Sequence, residues 1–295
     1  MTLRLSVPGN LLLAGEYAVL EEGGLGLALA VEPRLTVTVT EAAAWSLEGR
    51  WQDGSERWSP GGRRTFAAQV LQAVLERTPG AAPASFVVDS SLFFDAGRKR
   101  GFGSSAALAV GLAAAAARLA GTEPDPLTAV EAHRYAQGGT GSGYDVLASW
   151  FGGYGLVEGG ARPRWRPLTA ELPFLTVFAG PEAVRTTGSV ARYRTWKTAH
   201  PEDARRFLDD SNAAVKALSQ AAGSWREAAE RTRLLGIAVG RTIGSSAELT
   251  APADASDAFI KALGAGNETG LAAFAKPVSR QGLTPLTVAG GWRWE

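Results

Sequence analysis

Apolar residues alternate with polar ones at Leu3, Leu5 and Val7, the period of a half-buried strand, and Pro8-Gly9 is expected to stop it. Residues 25–40 hold two β-rich runs, GLALAVE and RLTVTVT. Pro33 between them predicts a break and an antiparallel pair. From 64 to 77 the spacing turns helical, with Phe66, Val70, Leu71, Val74 and Leu75 on one side. SFVVDSSLFF reads as a strand and DAGRKRG as the turn after it. A long Ala/Leu helix is expected from Ser104 and a second one near 126–137, followed by a glycine-rich break at 138–143. FLTVFAG at 174–180 reads as a buried strand, followed by helices near 201–221 and 225–240 and a strand-like GLAAFA. This irregular mixture predicts an α+β chain in two lobes, 1–165 and 166–295.

Composition narrows the function classes. The chain of 295 residues is long enough to bury a large core, and its formal net charge of +1 leaves no general field for nucleic acid or an anionic membrane. Any anion site must therefore be local. Cysteine is absent, which removes disulfides, thiol nucleophiles and cysteine-held zinc, and with only two histidines a resident zinc site is not expected. The start, MTLRLSVPGN, lacks the parts of a signal peptide, and the alanine-rich stretch from Ala106 to Ala120 is shorter than a membrane span. A cytoplasmic protein is expected, monomer or homodimer.

Three stretches carry chemistry. In the first, Gly101, Phe102, Gly103, Ser104, Ser105 and Ala106 run into an apolar helix behind Arg98-Lys99-Arg100. Glycines let a backbone approach a ligand closely, free N–H groups at a helix start suit a polyphosphate, and two hydroxyls there can meet a phosphate oxygen or Mg²⁺. The same spelling serves equally as the N-cap of a structural helix. No Walker A loop, three-glycine dinucleotide fingerprint, protein-kinase signature or G-x-S-x-G elbow occurs. The second stretch, from Val7 to Leu20, sets a strand end, a Pro-Gly turn and a helix-like run beside Gly15-Glu16-Tyr17, where a carboxylate and a phenol could line a polar pocket. In the third, Gly264, Ala265 and Gly266 follow Lys261, read as a loop after a helix and before an apolar strand.

Taken together, P-G-x-L-L-x-A-G-E-Y-A-V-L, G-F-G-S-S-A-A and G-A-G-x-x-x-x-x-L resemble the three signature motifs of the GHMP kinases, in family order. Within that family the spelling is most like the phosphomevalonate kinase branch. Gly15-Glu16-Tyr17, Ser91-Leu92-Phe93, Ala132-His133, Gln137-Gly138, Gly141-Ser142-Gly143-Tyr144-Asp145 and Thr186-Thr187 carry that likeness.

The resemblance implies a ribosomal-protein-S5-like N-terminal lobe, a ferredoxin-like C-terminal lobe and a site served by both. It implies ATP on residues 101–106, Mg²⁺ on Ser105, and Asp145 as catalytic base. It also implies a small anionic metabolite as substrate and partner, met by Asn10, Glu16, Tyr17, His133, Ser142, Gly143, Arg185, Thr187, Gly264, Ala265 and Gly266. Arg192 and Arg194 add cations near Arg185, either as donors to an anionic acceptor or as an exposed basic helix face. One departure stands out: Asn10 occupies the place of the family's lysine, so the acceptor-side charge is missing. Lys197, Lys261 and Arg185 are the candidate replacements. Other kinases of the family, and a member that binds without catalysing, remain open readings.

Overall fold

The computed structural model describes residues 2–95, 97–169, 171–180, 186–221, 225–245, 248–264 and 269–295. The chain divides into two compact units. The first comprises Met1–Leu11, Leu29–Gly153 and Val288–Glu295; the second comprises Leu12–Ala28 and Tyr154–Thr287.

Strand β1 (Thr2–Ala14) does not stop at Pro8-Gly9. Arg4 O accepts from Glu295 N, so the even-numbered residues of β1 turn their polar groups toward the C-terminal strand Arg293–Trp294. That strand pairs only with Leu5 and Ser6, and Pro8 lies beyond it with no ladder bond to donate. The run Leu11-Leu12-Leu13, helix-like in sequence, is the buried end of the same strand. Strand β2 (Leu25–Glu41) is likewise continuous through Pro33, because β5 (Ala84–Asp89) pairs with it only from Thr36 onward. With β3 (Ser46–Trp51) and β4 (Gly54–Trp58), the first unit's strands run in the order C-terminal strand, β1, β2, β5, β3, β4. A two-strand hairpin, β6 (Phe94–Asp95) with β7 (Arg98–Lys99), precedes the glycine loop.

Four helices complete this unit: α1 (Phe66–Arg77), α2 (Ser104–Ala120), α3 (Pro126–Ala136) and α4 (Tyr144–Phe151). Helix α2 touches the other three. It is buried from Ala106 through Ala117, so the small side chains that make it look featureless are what let its neighbours pack closely. Gly111 is the tightest point, where an added Cβ would stand 2.6 Å from a Val37 methyl. Arg118 and a left-handed Gly121 finish the helix in the ordinary way.

In the second unit β8 (Tyr154–Glu158) and β9 (Arg164–Leu168) form a hairpin. Strands β10 (Phe174–Ala179), β11 (Phe259–Ala262), β12 (Thr269–Phe274) and β13 (Thr284–Pro285) form a separate antiparallel sheet in the order β11, β12, β10, β13. Helices α5 (Thr186–Ala199), α6 (Pro201–Gln220) and α7 (Trp225–Thr242) belong to this unit. The Lys261 segment is thus an edge strand rather than a helix end. On α6, Asn212 accepts from Leu25 N and donates to Gly23 O, which fixes the turn that carries Glu16 and Tyr17 toward β2.

The same turn is tied to β11 by a buried ion pair. Glu16 and Lys261 are hydrogen-bonded and both nearly inaccessible, and Lys261 Nζ also donates to Ala262 O at 3.0 Å. Burial pushes the Glu16 carboxyl above its usual range, and Lys261 pulls it part of the way back. Such a pair is weak evidence for stability while intact, yet losing one member strands a buried charge. Replacing Lys261 by Met should therefore cost about 3–5 kcal/mol, read as a lower urea midpoint. The double replacement Glu16→Gln with Lys261→Met should recover most of that loss.

Candidate active site

In the first unit the Pro8-Gly9-Asn10 stretch and the glycine loop lie against each other. Asn10 N donates to Phe102 O at 2.9 Å, and a Cβ on Gly9 would stand 2.7 Å from that same oxygen. The loop's shape follows from its residues. Gly101 and Gly103 adopt left-handed φ values of 74° and 69°, and the Phe102 side chain between them is buried under the Arg100 guanidinium. Gly103 is the N-cap of α2, and among the described residues no side chain caps that helix. The positive end of a 17-residue helix therefore opens through Ser104 and Ser105 with no side-chain acceptor among the described residues. The arrangement fits a phosphate chain.

Three predicted residues meet beside this opening. His133, on α3, is buried among Ser105, Asp145, Gln137 and Phe66. Its Nε2 lies 3.2 Å from Ser105 Oγ and 3.3 Å from Gln137 Nε2, while its Nδ1 lies 3.6 Å from Asp145 Oδ2. With the Gln137 amide placed as a donor, Nε2 accepts and the ring proton sits on Nδ1, toward the carboxylate. The Ser105 hydroxyl and the Gln137 amide then share the single Nε2 lone pair, and the Ser105 oxygen keeps its own lone pairs for another partner. Asp145 stands in the first turn of α4, where its Oδ1 accepts from Val146 N at 2.9 Å, and a fifth of its side chain is exposed. The left-handed Gly143 lets the chain turn into that helix, and Ser142 before it is buried.

Two members of this site were missed in sequence. Arg134 donates from Nε to Gly141 O at 2.9 Å and from Nη2 to Ser142 O at 3.0 Å, bracing the loop that delivers Asp145. Burial lowers the guanidinium pKa, and the Asp145 and Glu131 carboxylates work in the opposite direction. Ser149, fully buried on α4, accepts from Asn10 Nδ2 at 3.0 Å. Neither has a sequence signal, because both act on backbone or side chains brought near only by folding.

The second unit holds Glu16, Tyr17 and Gly264. Tyr17 is buried at a φ of 64°, a conformation that bulky residues rarely adopt. Its ring stacks on Tyr193 at 5.3 Å, and its phenol is hydrogen-bonded with Ser245 and Ser189. Burial raises the phenol's pKa and those hydroxyls oppose the rise. Ser189 and Ser245 lie 2.7 Å apart, with Arg192 Nη2 donating to Ser189 Oγ at 3.1 Å. Gly264 has a φ of 70°. Arg185, Ala265 and Gly266 lie outside the described residues, as does the side chain of Thr187. Of the candidate replacements for the motif lysine, Lys197 pairs with Glu21 and Lys261 with Glu16. A cavity of 680 Å³ beside α7 and β11 takes in Lys261, Arg226 and Arg233 but none of the predicted site residues.

Residues 65–153, which span α1 through α4 and the glycine loop, match the family model for the GHMP kinases N terminal domain. The phosphomevalonate kinase of Streptomyces sp. (strain CL190) is 33% identical over 178 residues, 50% of this chain and 47% of that protein. The mevalonate kinase of Methanothermobacter thermautotrophicus is 31% identical over 216 residues, 69% of this chain and 65% of its own length. The chain thus spans about half of the first relative and 65% of the second. The structure of Streptococcus pneumoniae phosphomevalonate kinase in complex with phosphomevalonate and AMPPNP superposes with a TM-score of 0.74 at 18% identity, covering 93% of this chain and 92% of the other. With its motif stretches on that framework, the chain carries a GHMP kinase N-terminal domain and has the GHMP kinase fold.

Proposed function

We propose that this chain transfers the γ-phosphoryl group of ATP to the phosphate of mevalonate 5-phosphate, giving the 5-diphosphate and ADP. The observation that carries the reading is the uncapped, glycine-led start of α2, with Ser105 and Asp145 both gathered on His133. The acceptor is assigned from the 33% identical phosphomevalonate kinase and from the branch-specific spelling around His133 and Asp145.

In this reading the N–H groups at the start of α2 bind the polyphosphate and Gly101 and Gly103 let the backbone close on it. Ser105 would hold Mg²⁺, which screens phosphate charge and is commonly bound by few protein groups plus the phosphates themselves. An acceptor phosphate oxygen attacks the γ-phosphorus as the bond to the β–γ bridging oxygen breaks, and ADP departs with that electron pair. Transfer of this kind depends mainly on alignment and charge stabilisation. His133 and Arg134 contribute by fixing the Asp145 carboxylate, His133 directly and Arg134 through the loop. Asp145 orients the acceptor and takes a proton if the acceptor oxygen bears one. That Asp145 suits a hydroxyl acceptor equally well keeps mevalonate as the second reading, in line with the mevalonate kinase relative.

ADP release with MgATP should appear with mevalonate 5-phosphate and not with mevalonate or mevalonate 5-diphosphate. Turnover on mevalonate alone would move the assignment to the second reading, and ATP binding with no turnover on any of the three would remove the kinase assignment for this pathway. Asp145→Asn should lower kcat about 10²–10⁴-fold with a near-unchanged affinity for ATP. Gly103→Ala forces a side chain onto a left-handed residue and places its Cβ 2.3 Å from the Asn10 amide. Its affinity for MgATP should fall at least about ten-fold, measured by calorimetry, as expected for backbone strain of this kind.

A further inference from the structure

Asn10 stands where the family resemblance calls for a lysine, yet the structure places its amide in the body of the protein. The residue is 2% exposed. Its Nδ2 donates to Gly103 O at 3.2 Å and to Ser149 Oγ at 3.0 Å, and its backbone N–H donates to Phe102 O at 2.9 Å. A carbonyl can only accept, so the atom facing Gly103 O has to be the amide nitrogen. The face of the amide also lies on Gly103 itself, since a Cβ there would meet Cγ, Oδ1 and Nδ2 of Asn10 within 2.5 Å. Three bonds and one close contact therefore converge on Phe102 and Gly103 from one side and on α4 from the other.

We infer that Asn10 is a positioning residue for the phosphate loop, a neutral buried tie between that loop and α4 in place of an acceptor-side charge. The inference rests on the reading of residues 101–106 as the nucleotide site. The physical argument is electrostatic and steric. Among the described residues, the groups that accept from Asn10 are carbonyl and hydroxyl oxygens and not carboxylates, so an ammonium confined to this pocket would be desolvated with no ion-pair partner among them. An amide makes both side-chain donations with no net charge and is flat enough for Gly103 to rest on it. Asn10 thereby sets where the first turn of α2 begins, and Gly103 is held left-handed by contact as well as by its own freedom. Cationic help toward Asp145 comes from Arg134, which its place beside the 141–142 carbonyls assigns to the same side of the site.

The test compares Asn10→Ala, Asn10→Asp and Asn10→Lys with the parent chain. Asparagine and aspartate have nearly the same shape, so Asn10→Asp leaves the packing while it replaces the amide donor with a carboxyl that is either ionised and unpaired or protonated with a single O–H. AMPPNP affinity in the presence of Mg²⁺, measured by calorimetry, should fall about ten-fold in the Ala and Asp variants, the effect of leaving one buried hydrogen bond unmade. The KM for the acceptor should stay within about two-fold of the parent, as expected when only the nucleotide side is disturbed. Asn10→Lys should weaken nucleotide binding too and raise kcat for no acceptor.

Amide exchange in the ligand-free protein gives a readout independent of any reaction: residues 101–106 should exchange faster in Asn10→Asp, with the interior of α2 unchanged. Should an Asn10 variant fail to fold, Ser149→Ala replaces a buried hydroxyl with a group of similar size, and it should shift loop exchange and AMPPNP affinity in the same direction by a smaller factor. Unchanged loop exchange in both Asn10→Asp and Ser149→Ala would overturn the inference, as would a raised acceptor KM with unchanged nucleotide affinity or a gain in kcat in Asn10→Lys. Faster loop exchange in the variants, with a parent chain that binds no AMPPNP, would leave the tie in place and remove the nucleotide reading instead.

Discussion

Helix α2 has to be buried along almost its whole length and still present an open first turn, and that double requirement governs the first unit. Alanine and glycine meet the first half of it, because a helix with so little side-chain volume can be approached by α1, α3 and α4 at once. The surrounding contacts leave the helix little room to move, so its N-terminal dipole and Ser105 hydroxyl are fixed relative to the strands. Glycine meets the second half. A side-chain cap would close that first turn, and Gly103 has none.

Charge is placed by the same logic of burial. Where a full charge is enclosed, as at Glu16 and Lys261, an opposite charge is in contact with it. Where no counter-charge is present, as around Asn10, the donor is a neutral amide. His133 combines both surroundings: its Nε2 faces a hydroxyl and an amide, and its Nδ1 faces the Asp145 carboxylate. Tyr17 is the costly exception, a buried aromatic residue in a left-handed turn. Its ring contact with Tyr193 and its hydroxyl partners offset part of that strain.

Much of the fold was legible as periodicity. The helices at 66–77, 104–120, 126–136, 201–220 and 225–242 and the strand at 174–179 lie where the spacing of apolar residues predicts them. Prolines misled the reading at Pro8 and Pro33, since whether a missing N–H ends a strand depends on whether a neighbour is there to accept from it. The run Leu11-Leu12-Leu13 misled it for a related reason. A strand covered on both faces has no alternation, and a continuous apolar run fits helix and strand alike.

The sequence by itself determined the family motifs, the glycine loop ahead of an apolar helix, and the lack of a Walker A spelling and of any cysteine, because each depends on residue type at short spacing. Tertiary structure decided the partners. Ser105, His133 and Asp145 converge although up to forty positions separate them, Arg134 reaches back to the loop ahead of Asp145, and Lys261 faces Glu16 rather than an open surface. The role of Asn10 shows the division most plainly. Its identity marks a departure from the family pattern, while its burial against Gly103 and Ser149 is a matter of long-range packing, which local spacing does not encode.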